Sequence, residues 1–345
     1  MNRYLQLATY FRYRFAERVQ KIPLDVGATC PNRDGSLSRM GCIFCNPSGS
    51  GSGMGLQGMS LNEQWEFWYN KYTRTQNTKL FIAYLQSFSN TYGPAEKLAD
   101  NLQQISSLQG VMGVSIGTRP DCIDEEKIDI IAGQKLDEVW LELGLQSAHN
   151  RTLKRINRGH SFEQFVDAVH LAAARNVKVC AHVIAGLPGE SVDDFLYTVE
   201  QVSALPVQGI KFHSLYVAED TPLADMWRSG EYVPMTEDGF IDAMVLALPK
   251  VRSTMVVQRL TGDALDGELL APQWGTGKRA LVDKIMRAFA EADVWQGKDI
   301  DANDHVPLWY TIRENLPTRI REQWDKEYDA VHKMLDFLPR ESIVK

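Results

Sequence analysis

The sequence predicts an α/β fold: a partial (β/α)6 TIM-type barrel followed by an α-rich C-terminal extension. Three observations carry that expectation. Between residues 20 and 220, six short β-rich runs alternate with longer helical patterns, and such alternation builds parallel strands joined by right-handed crossovers. Six units in about 200 residues fall short of the eight that close a TIM barrel, so the sheet should curl without closing. Finally, several strands place polar side chains on one face near their C-terminal ends, where a barrel builds its active site.

The chain divides into a basic helix over 1–20, the barrel over 21–235 and the extension over 236–345. The opening MNRYLQLATYFRYRFAERV has four arginines against one glutamate on a helical pattern. It lacks the apolar core and small-residue cleavage site of a secretory signal, and reads as a basic surface helix in preference to a transit peptide. Strands are expected at KIPLDVG (21–27), KLFIAYLQ (79–86), VMGVSIGT (111–118), EVWLELGLQ (138–146), VKVCAHVIAG (177–186) and GIKFHSLYV (209–217), with helices at 94–108, 124–135, 161–176 and 190–203 among the segments between them. Past residue 230 the pattern weakens. TMVVQRLTGD (254–263) reads as a further strand, 277–291 as a helix, and NLPTRIREQWDKEYDAVHKML as a charged amphipathic helix. The glycine–serine run PSGSGSGMG (47–55) has no following GKS/T and reads as a flexible loop.

Strand phase locates the candidate site. A buried parallel strand should be apolar on both faces. Instead Glu142, Gly144 and Gln146 share one face of ELGLQ, opposite Leu141, Leu143 and Leu145. His182, Ile184 and Gly186 share a face, as do Lys211, His213 and Leu215, and Tyr84 with Gln86. One such histidine would be a satisfied core polar group; four strands in agreement indicate a functional lumen.

Composition removes several classes. With 345 residues, 44% hydrophobic and 23% charged, the chain can bury a large core. No apolar run reaches the eighteen residues of a membrane span, and a cytoplasmic protein is expected. A net charge of −7 argues against general affinity for nucleic acid. Locally, residues 1–45 hold seven Lys/Arg against three Asp/Glu, and 250–290 seven against four.

The stretch CPNRDGSLSRMGCIFC holds Cys30, Cys42 and Cys45, three of five cysteines, directly after the first strand. An odd cysteine count in a cytosolic chain fits a disulfide framework poorly. Three thiolates beside a polar lumen suit a [4Fe–4S] cluster with one iron left for a ligand. The competing reading is a structural zinc, which needs four ligands, Cys122 or a histidine completing the set; the protein would then be a non-catalytic zinc-stabilised barrel that binds RNA or a partner. Cys122 and Cys180 are otherwise structural.

TCPNRDG, the widened first cysteine spacing, GTRPDC, WLELGLQS, INRGH and GLPGE occur in order over roughly residues 20–275. With these motifs the chain resembles the radical S-adenosylmethionine (SAM) superfamily, in its YhcC/YtqA-type bacterial group related to the catalytic subunit of Elongator. The resemblance implies a radical SAM barrel in which Cys30, Cys42 and Cys45 bind the cluster and SAM chelates the open iron. One electron then splits SAM into methionine and a 5′-deoxyadenosyl radical that abstracts hydrogen from a substrate. It further implies that Phe44 lies against adenine, that Gln146 and Arg158 contact the SAM ribose and carboxylate with Glu142 beside them, and that Gly186 lets backbone approach the adenine edge. Two features depart from the superfamily pattern: eleven residues, not three, separate the first two cysteines, and the second strand ends in YLQSFSNTY instead of Gly-Gly-Glu. Gln86, Ser89 or Thr91 is then left to hold the SAM amine. Glu190 reads as a helix-start carboxylate. Lys211 and His213 are the candidate catalytic residues, orienting an anionic substrate or moving a proton. Arg119 with Asp121 are either a structural pair at a strand end or catalytic residues, and Arg259 with Asp263 are candidates to close the site. The resemblance points to the wobble-uridine side chain of tRNA as substrate, with a small-molecule metabolite as the alternative, and to an electron donor such as flavodoxin or ferredoxin.

Overall fold

The computed structural model describes residues 3–15, 17–46, 49, 51, 54, 55, 57–262 and 267–300. Asp263, the amphipathic segment after residue 314 and most of the glycine–serine run lie outside the described residues.

Helix α1 (Leu7–Phe15) leads into β1 (Val19–Leu24), followed by α2 (Leu61–Gln76), β2 (Leu80–Leu85), α3 (Ala95–Ser106) and β3 (Val111–Thr118). Then come α4 (Glu125–Ala132), β4 (Glu138–Gln146), α5 (Asn150–Arg155), α6 (Phe162–Ala174), β5 (Lys178–Ala185), α7 (Val192–Ala204) and β6 (Gly209–Ser214). The remainder is β7 (Val217–Ala218), α8 (Pro222–Arg228), α9 (Glu237–Ala247), β8 (Val256–Arg259), β9 (Leu269–Ala271) and α10 (Lys278–Glu291). Seven strands form one sheet in the order β1-β2-β3-β4-β5-β6-β8, every pairing parallel. The sheet is a curled half-barrel, as expected, and the further strand expected at 254–263 joins the six as β8. Strands β7 and β9 pair separately and antiparallel.

The curl is visible in one contact: Lys21 Nζ on β1 donates to Gln258 Oε1 on β8 at 2.9 Å, joining strands at opposite ends of the sheet order. Pro23 sits in β1 because an edge strand tolerates a missing N–H. On the outer face Ile22, Phe81, Leu141, Val179 and Ile210 pack against Leu98, Leu102, Phe165, Val169, Phe195 and Val199 of the helices. Each such side chain contributes about 1.5–3 kcal/mol by leaving water. Ser60, Ser161 and Ser191 each close a capping box at the start of α2, α6 and α7.

The N-terminal segment departs from the surface-helix expectation. Tyr10, Phe11 and Tyr13 are buried, and Leu5 O accepts from Val257 N on β8 at 2.9 Å. Tyr10 Oη donates to the fully buried Glu138 at 2.9 Å, Arg14 pairs with the same carboxylate, and Lys178 approaches it at 2.8 Å. The segment therefore plugs the N-terminal mouth of the half-barrel. The aromatic residues do this; the arginine count obscured them.

Candidate functional site

The cysteine loop is folded by its own backbone and pinned from outside. Arg33 N and Asp34 N donate to Cys30 O, and Cys45 N to Cys42 O at 3.0 Å. Asn157 and Ile156, from the INRGH turn after α5, supply the external clamp. Asn157 Nδ2 donates to Gly41 O at 2.6 Å, Asn32 Nδ2 to Asn157 O at 2.5 Å, and Ile43 N to Ile156 O at 3.1 Å. Gly159 has φ +74°, and a Cβ there would come within 3.2 Å of both Arg119 and Asn32. Arg33 donates to the carbonyls of Cys45 and Asn46, both at 2.6 Å.

Cys30, Cys42 and Cys45 are free thiols lining one cavity of about 390 Å³ at the C-terminal mouth of the barrel. Burial and the neighbouring Cys42 push the Cys45 thiol up, with Arg33 pulling the other way. Arg158 Nη1 lies 3.5 Å and Asn32 Nδ2 3.7 Å from Cys42 Sγ. Among the described residues no three His, Cys, Asp or Glu side chains converge as a single metal ion would require. A lone zinc draws its thiolates to ~2.3 Å of one point, whereas a cluster takes each protein sulfur on a different iron. Three soft thiol donors on one cavity wall are a donor set that a cluster takes.

Beside the cysteines, β4 ends in a distortion that places Arg158. Its pairing with β5 shifts between Gly144 and Gln146, and Gln146 takes φ +79°. A non-glycine residue there costs energy and marks an over-determined site. Arg158 donates through Nε and Nη2 to Gly144 O at 3.2 and 2.6 Å. A Cβ on residue 144 would lie 2.6 Å from Arg158 Nη2 and 2.8 Å from Gln146 Nε2, so glycine lets both side chains keep these positions. The Arg119–Asp121 pair buttresses this arrangement. Arg119 forks onto Asp121 at 2.9 and 2.8 Å and donates through Nη1 to Arg158 O at 2.6 Å. His160 Nε2 also sits 3.1 Å from Gly144 O, and burial with the Arg158 charge pulls that histidine down to about 3.

Deeper in the lumen Glu142, with no exposed side-chain surface, pairs with Lys21 at 2.6 Å, with Lys211, and with His182 Nε2 at 2.9 Å. Burial would raise this carboxyl, but the Lys21 and Lys211 charges outweigh it and hold it well below the usual range. Burial lowers Lys21 against the pull of Glu142. Both lysines also face the Tyr84 ring, at 5.2 and 4.4 Å from its centre. Burial and Lys211 bring His182 down to about 4, and burial and Arg259 hold His213 well below the ordinary imidazole value. Both imidazoles are neutral at pH 7, with ring centres 5.6 Å apart.

The structure brings Phe44, Gln86, Glu142, Gln146, Arg158 and His213 onto the cavity wall with the cysteines, and Arg259 with them. Lys211 meets the site through Glu142, one layer below. Two expected cofactor contacts need correction. Ser89 is fully buried behind the wall, where its hydroxyl bonds Thr118 Oγ1 at 2.8 Å and accepts from Arg119 N at 3.3 Å. Gly186, at φ +84°, is not among the residues that line the cavity, and its carbonyl accepts from Tyr232 Oη at 2.9 Å. Thr91 is likewise tied to Thr118 and to Cys122 O, leaving Gln86 as the one of the three alternatives on the wall. Glu190 stands just before the Ser191 cap of α7, but its carboxylate accepts from Ser147 at 2.5 Å and, among the described residues, makes no bond to the helix start. Sequence reasoning missed Lys21, Arg33, Phe88 and Thr118. A lysine on the inward phase of an otherwise apolar strand was the available signal for Lys21; Phe88, held at φ +58° below the Arg33 guanidinium, had none.

Comparison with known proteins agrees with this geometry. The sequence profile described as the Radical SAM superfamily matches residues 30–202, and the Radical_SAM C-terminal domain matches 207–291. The protein YtqA of Bacillus subtilis (strain 168) is 35% identical over 300 residues, covering 86% of this chain and 92% of YtqA. A tRNA uridine(34) acetyltransferase of Methanocaldococcus infernus is 32% identical over 154 residues, covering 43% of this chain and 28% of that protein. The solved structure of the archaeal Methanocaldococcus infernus Elp3 with an N-terminal deletion superposes with a TM-score of 0.62 at 18% identity, over 79% of this chain and 63% of that one. The chain thus spans under two thirds of that structure's length.

Proposed function

This chain belongs to the radical SAM superfamily, and from that premise we propose that its substrate is the wobble-position uridine of tRNA. It is an enzyme whose cofactors are a [4Fe–4S] cluster and SAM. Cys30, Cys42 and Cys45 would hold the cluster, and Phe44, Gln86, Gln146 and Arg158 would line the SAM site beside it. Together the two cofactors supply reductive cleavage of a carbon–sulfur bond, yielding a carbon radical able to abstract hydrogen.

The chain's own part is to orient and to exclude water. Arg158 is fixed at its guanidinium by Gly144 and at its carbonyl by Arg119, so it reaches the cavity as one pre-set donor group. Phe44, Phe88, Tyr84 and Tyr216 supply aromatic wall, limiting water at a site where a radical would otherwise be quenched. His182 and His213 offer neutral ring nitrogens at pH 7, and Glu142 pairs with Lys21 and Lys211 beneath them.

The observation that carries the substrate is the 154-residue similarity to a tRNA uridine(34) acetyltransferase. Exposed Arg12, Arg18 and Arg39 are available for phosphate contacts, whereas Arg3, Arg14 and Lys21 are taken up internally. The test is mass spectrometry of nucleosides from tRNA of a deletion strain. A lost or altered wobble-uridine modification, restored by the gene but not by a Cys42→Ala copy, is the expected result. An unchanged profile transfers the assignment to a small metabolite, which a cavity of about 390 Å³ would accommodate.

A further inference from the structure

We propose that the lumen binds an oxyanion of the substrate, a carboxylate or a phosphate, between the guanidinium of Arg259 and the imidazole of His213. The inference deepens the reading of the same cavity as the substrate chamber and rests on it.

Among the described residues the charges in the lumen do not balance. Lys21 and Lys211 share the single carboxylate of Glu142. A third cation, Arg259, lines the cavity with no carboxylate or hydrogen-bond partner among the described residues. His182 and His213 are neutral and offset nothing. Cations partly removed from water in this way are costly unless an anion joins them.

The second observation is independent of charge. His213 Nε2 is buried without any hydrogen-bond partner among the described residues, on a residue that lines the cavity. Its other ring nitrogen is backed against Gly262, where a Cβ would lie 2.6 Å from Nδ1. One ring nitrogen is therefore packed against Gly262 while the other is left unpaired, and buried polar atoms left unpaired in this way call for an explanation. A neutral imidazole in its Nε2–H form donates to an oxyanion, and the adjacent guanidinium supplies the fork that matches carboxylate and phosphate geometry. The two residues come from neighbouring strands: Lys211 and Arg259 are register partners, with His213 two residues on.

The anion in question is distinct from the carboxylate of SAM. The cations beside the sulfurs are Arg33, Arg119 and Arg158, and it is these that interact with the cysteines. Arg259 acts instead on Tyr84, His182 and His213. There is also room beyond: Ser214 and Tyr216 line both this cavity and a second one of about 810 Å³, bounded by Trp274 and Gly275. A substrate anchored by its acid group at Arg259 extends past Tyr216 into that space.

The experiment is calorimetric titration of the anaerobically reconstituted full-length holoenzyme, saturated with SAM, with inorganic phosphate and separately with acetate. Saturable one-site binding of at least one anion is expected, weakened at least tenfold in Arg259→Gln and in His213→Phe and partly recovered in Arg259→Lys. Unfolding midpoints of the variants separate a lost ligand from a lost fold. The tighter of the two anions identifies a phosphorylated or a carboxylated substrate. Failure of both to saturate, equal affinity in Arg259→Gln, or binding that appears only when SAM is left out overturns the proposal. Binding is read without turnover or RNA, so its failure leaves the tRNA assignment to its own test.

Discussion

Replacing Glu142 by glutamine removes the one carboxylate among the described residues that Lys21 and Lys211 share and leaves two ammonium groups, 15% and 7% exposed, around its place. Breaking a buried ion pair by deleting one partner costs roughly 3–5 kcal/mol. Deprotonation sets a ceiling. Carrying a lysine from its usual value of about 10.4 to neutrality at pH 7 costs about 4.6 kcal/mol per side chain, at about 1.36 kcal/mol per pH unit. A loss of about 3–5 kcal/mol at pH 7 is therefore expected, read by anaerobic urea unfolding of Glu142→Gln against the parent. The pH dependence gives the sharper check. Burial already holds Lys21 below its ordinary value, and without Glu142 it falls further, so the unfolded chain binds more protons between the folded and unfolded values. The variant should then regain stability relative to the parent as pH rises from 7 to 9.5. In the parent, Glu142 is held low, so its contribution is complete above the ordinary glutamate value of 4.5 and disappears only as pH falls through the depressed one. A deficit below about 1 kcal/mol, or one that does not shrink with rising pH, would refute the account of the lumen as a charge network organised by Glu142.

Three further outcomes follow from the same geometry. Gly144→Ala should push Arg158 off its carbonyl, since the new methyl would sit 2.6 Å from Nη2; SAM affinity by equilibrium dialysis should fall about tenfold or more, about 1.4 kcal/mol, with a smaller change in unfolding midpoint. Asn157→Ala removes the 2.6 Å bond to Gly41 O and should loosen the cysteine loop by about 1–3 kcal/mol, seen as faster bleaching of the cluster by a chelator with cysteine content unchanged. His182 has a folded value near 4 against 6.5 unfolded, so the unfolded state binds the extra proton and stability should decline as pH drops between those values; His182→Gln should flatten that limb of the unfolding midpoint against pH.

How much of this was legible depends on what each signal physically reports. Strands β3 and β4 stand at the boundaries expected, 111–118 and 138–146, because both are bounded by turns and apolar along their outer face. The inward phase was also legible: Tyr84, Gln86, Glu142, Gly144, Gln146, His182, Ile184, His213 and Leu215 all reach the cavity. Alternation holds only while the backbone stays extended, and the two misplaced residues lie just past strand ends. Strand β5 stops at Ala185 and Gly186 takes φ +84°, while Phe88 at φ +58° rotates Ser89 out of the series. Helix α2 went unnamed although Ser60 and Glu63 form a capping box, because its apolar face is diluted by polar residues. No local pattern reveals which strands meet across a curled sheet, so the bond from Lys21 to Gln258 was beyond sequence reading.

Strand β4 shows why the chemistry collects where it does. Its even-numbered residues run along the lumen from one mouth to the other, and each changes the environment one step. Glu138 anchors Tyr10, Arg14 and Lys178 at the plugged end. Trp140, fully buried with Ile82, Cys180 and Val256, forms an apolar layer above it. Glu142 gathers the lysines, Gly144 makes space for Arg158, and Gln146 ends the strand in a strained turn beside the cysteines. The apolar layer matters as much as the charged ones. It isolates the Glu138 network, which holds the plug, from the Glu142 network, which faces the cavity. Protonation or ligand binding in the lumen can then alter the upper charges without loosening the closure below. Stability and reactivity are thereby divided along a single strand, with the N-terminal face holding the barrel shut and the C-terminal face left free for cofactor and substrate.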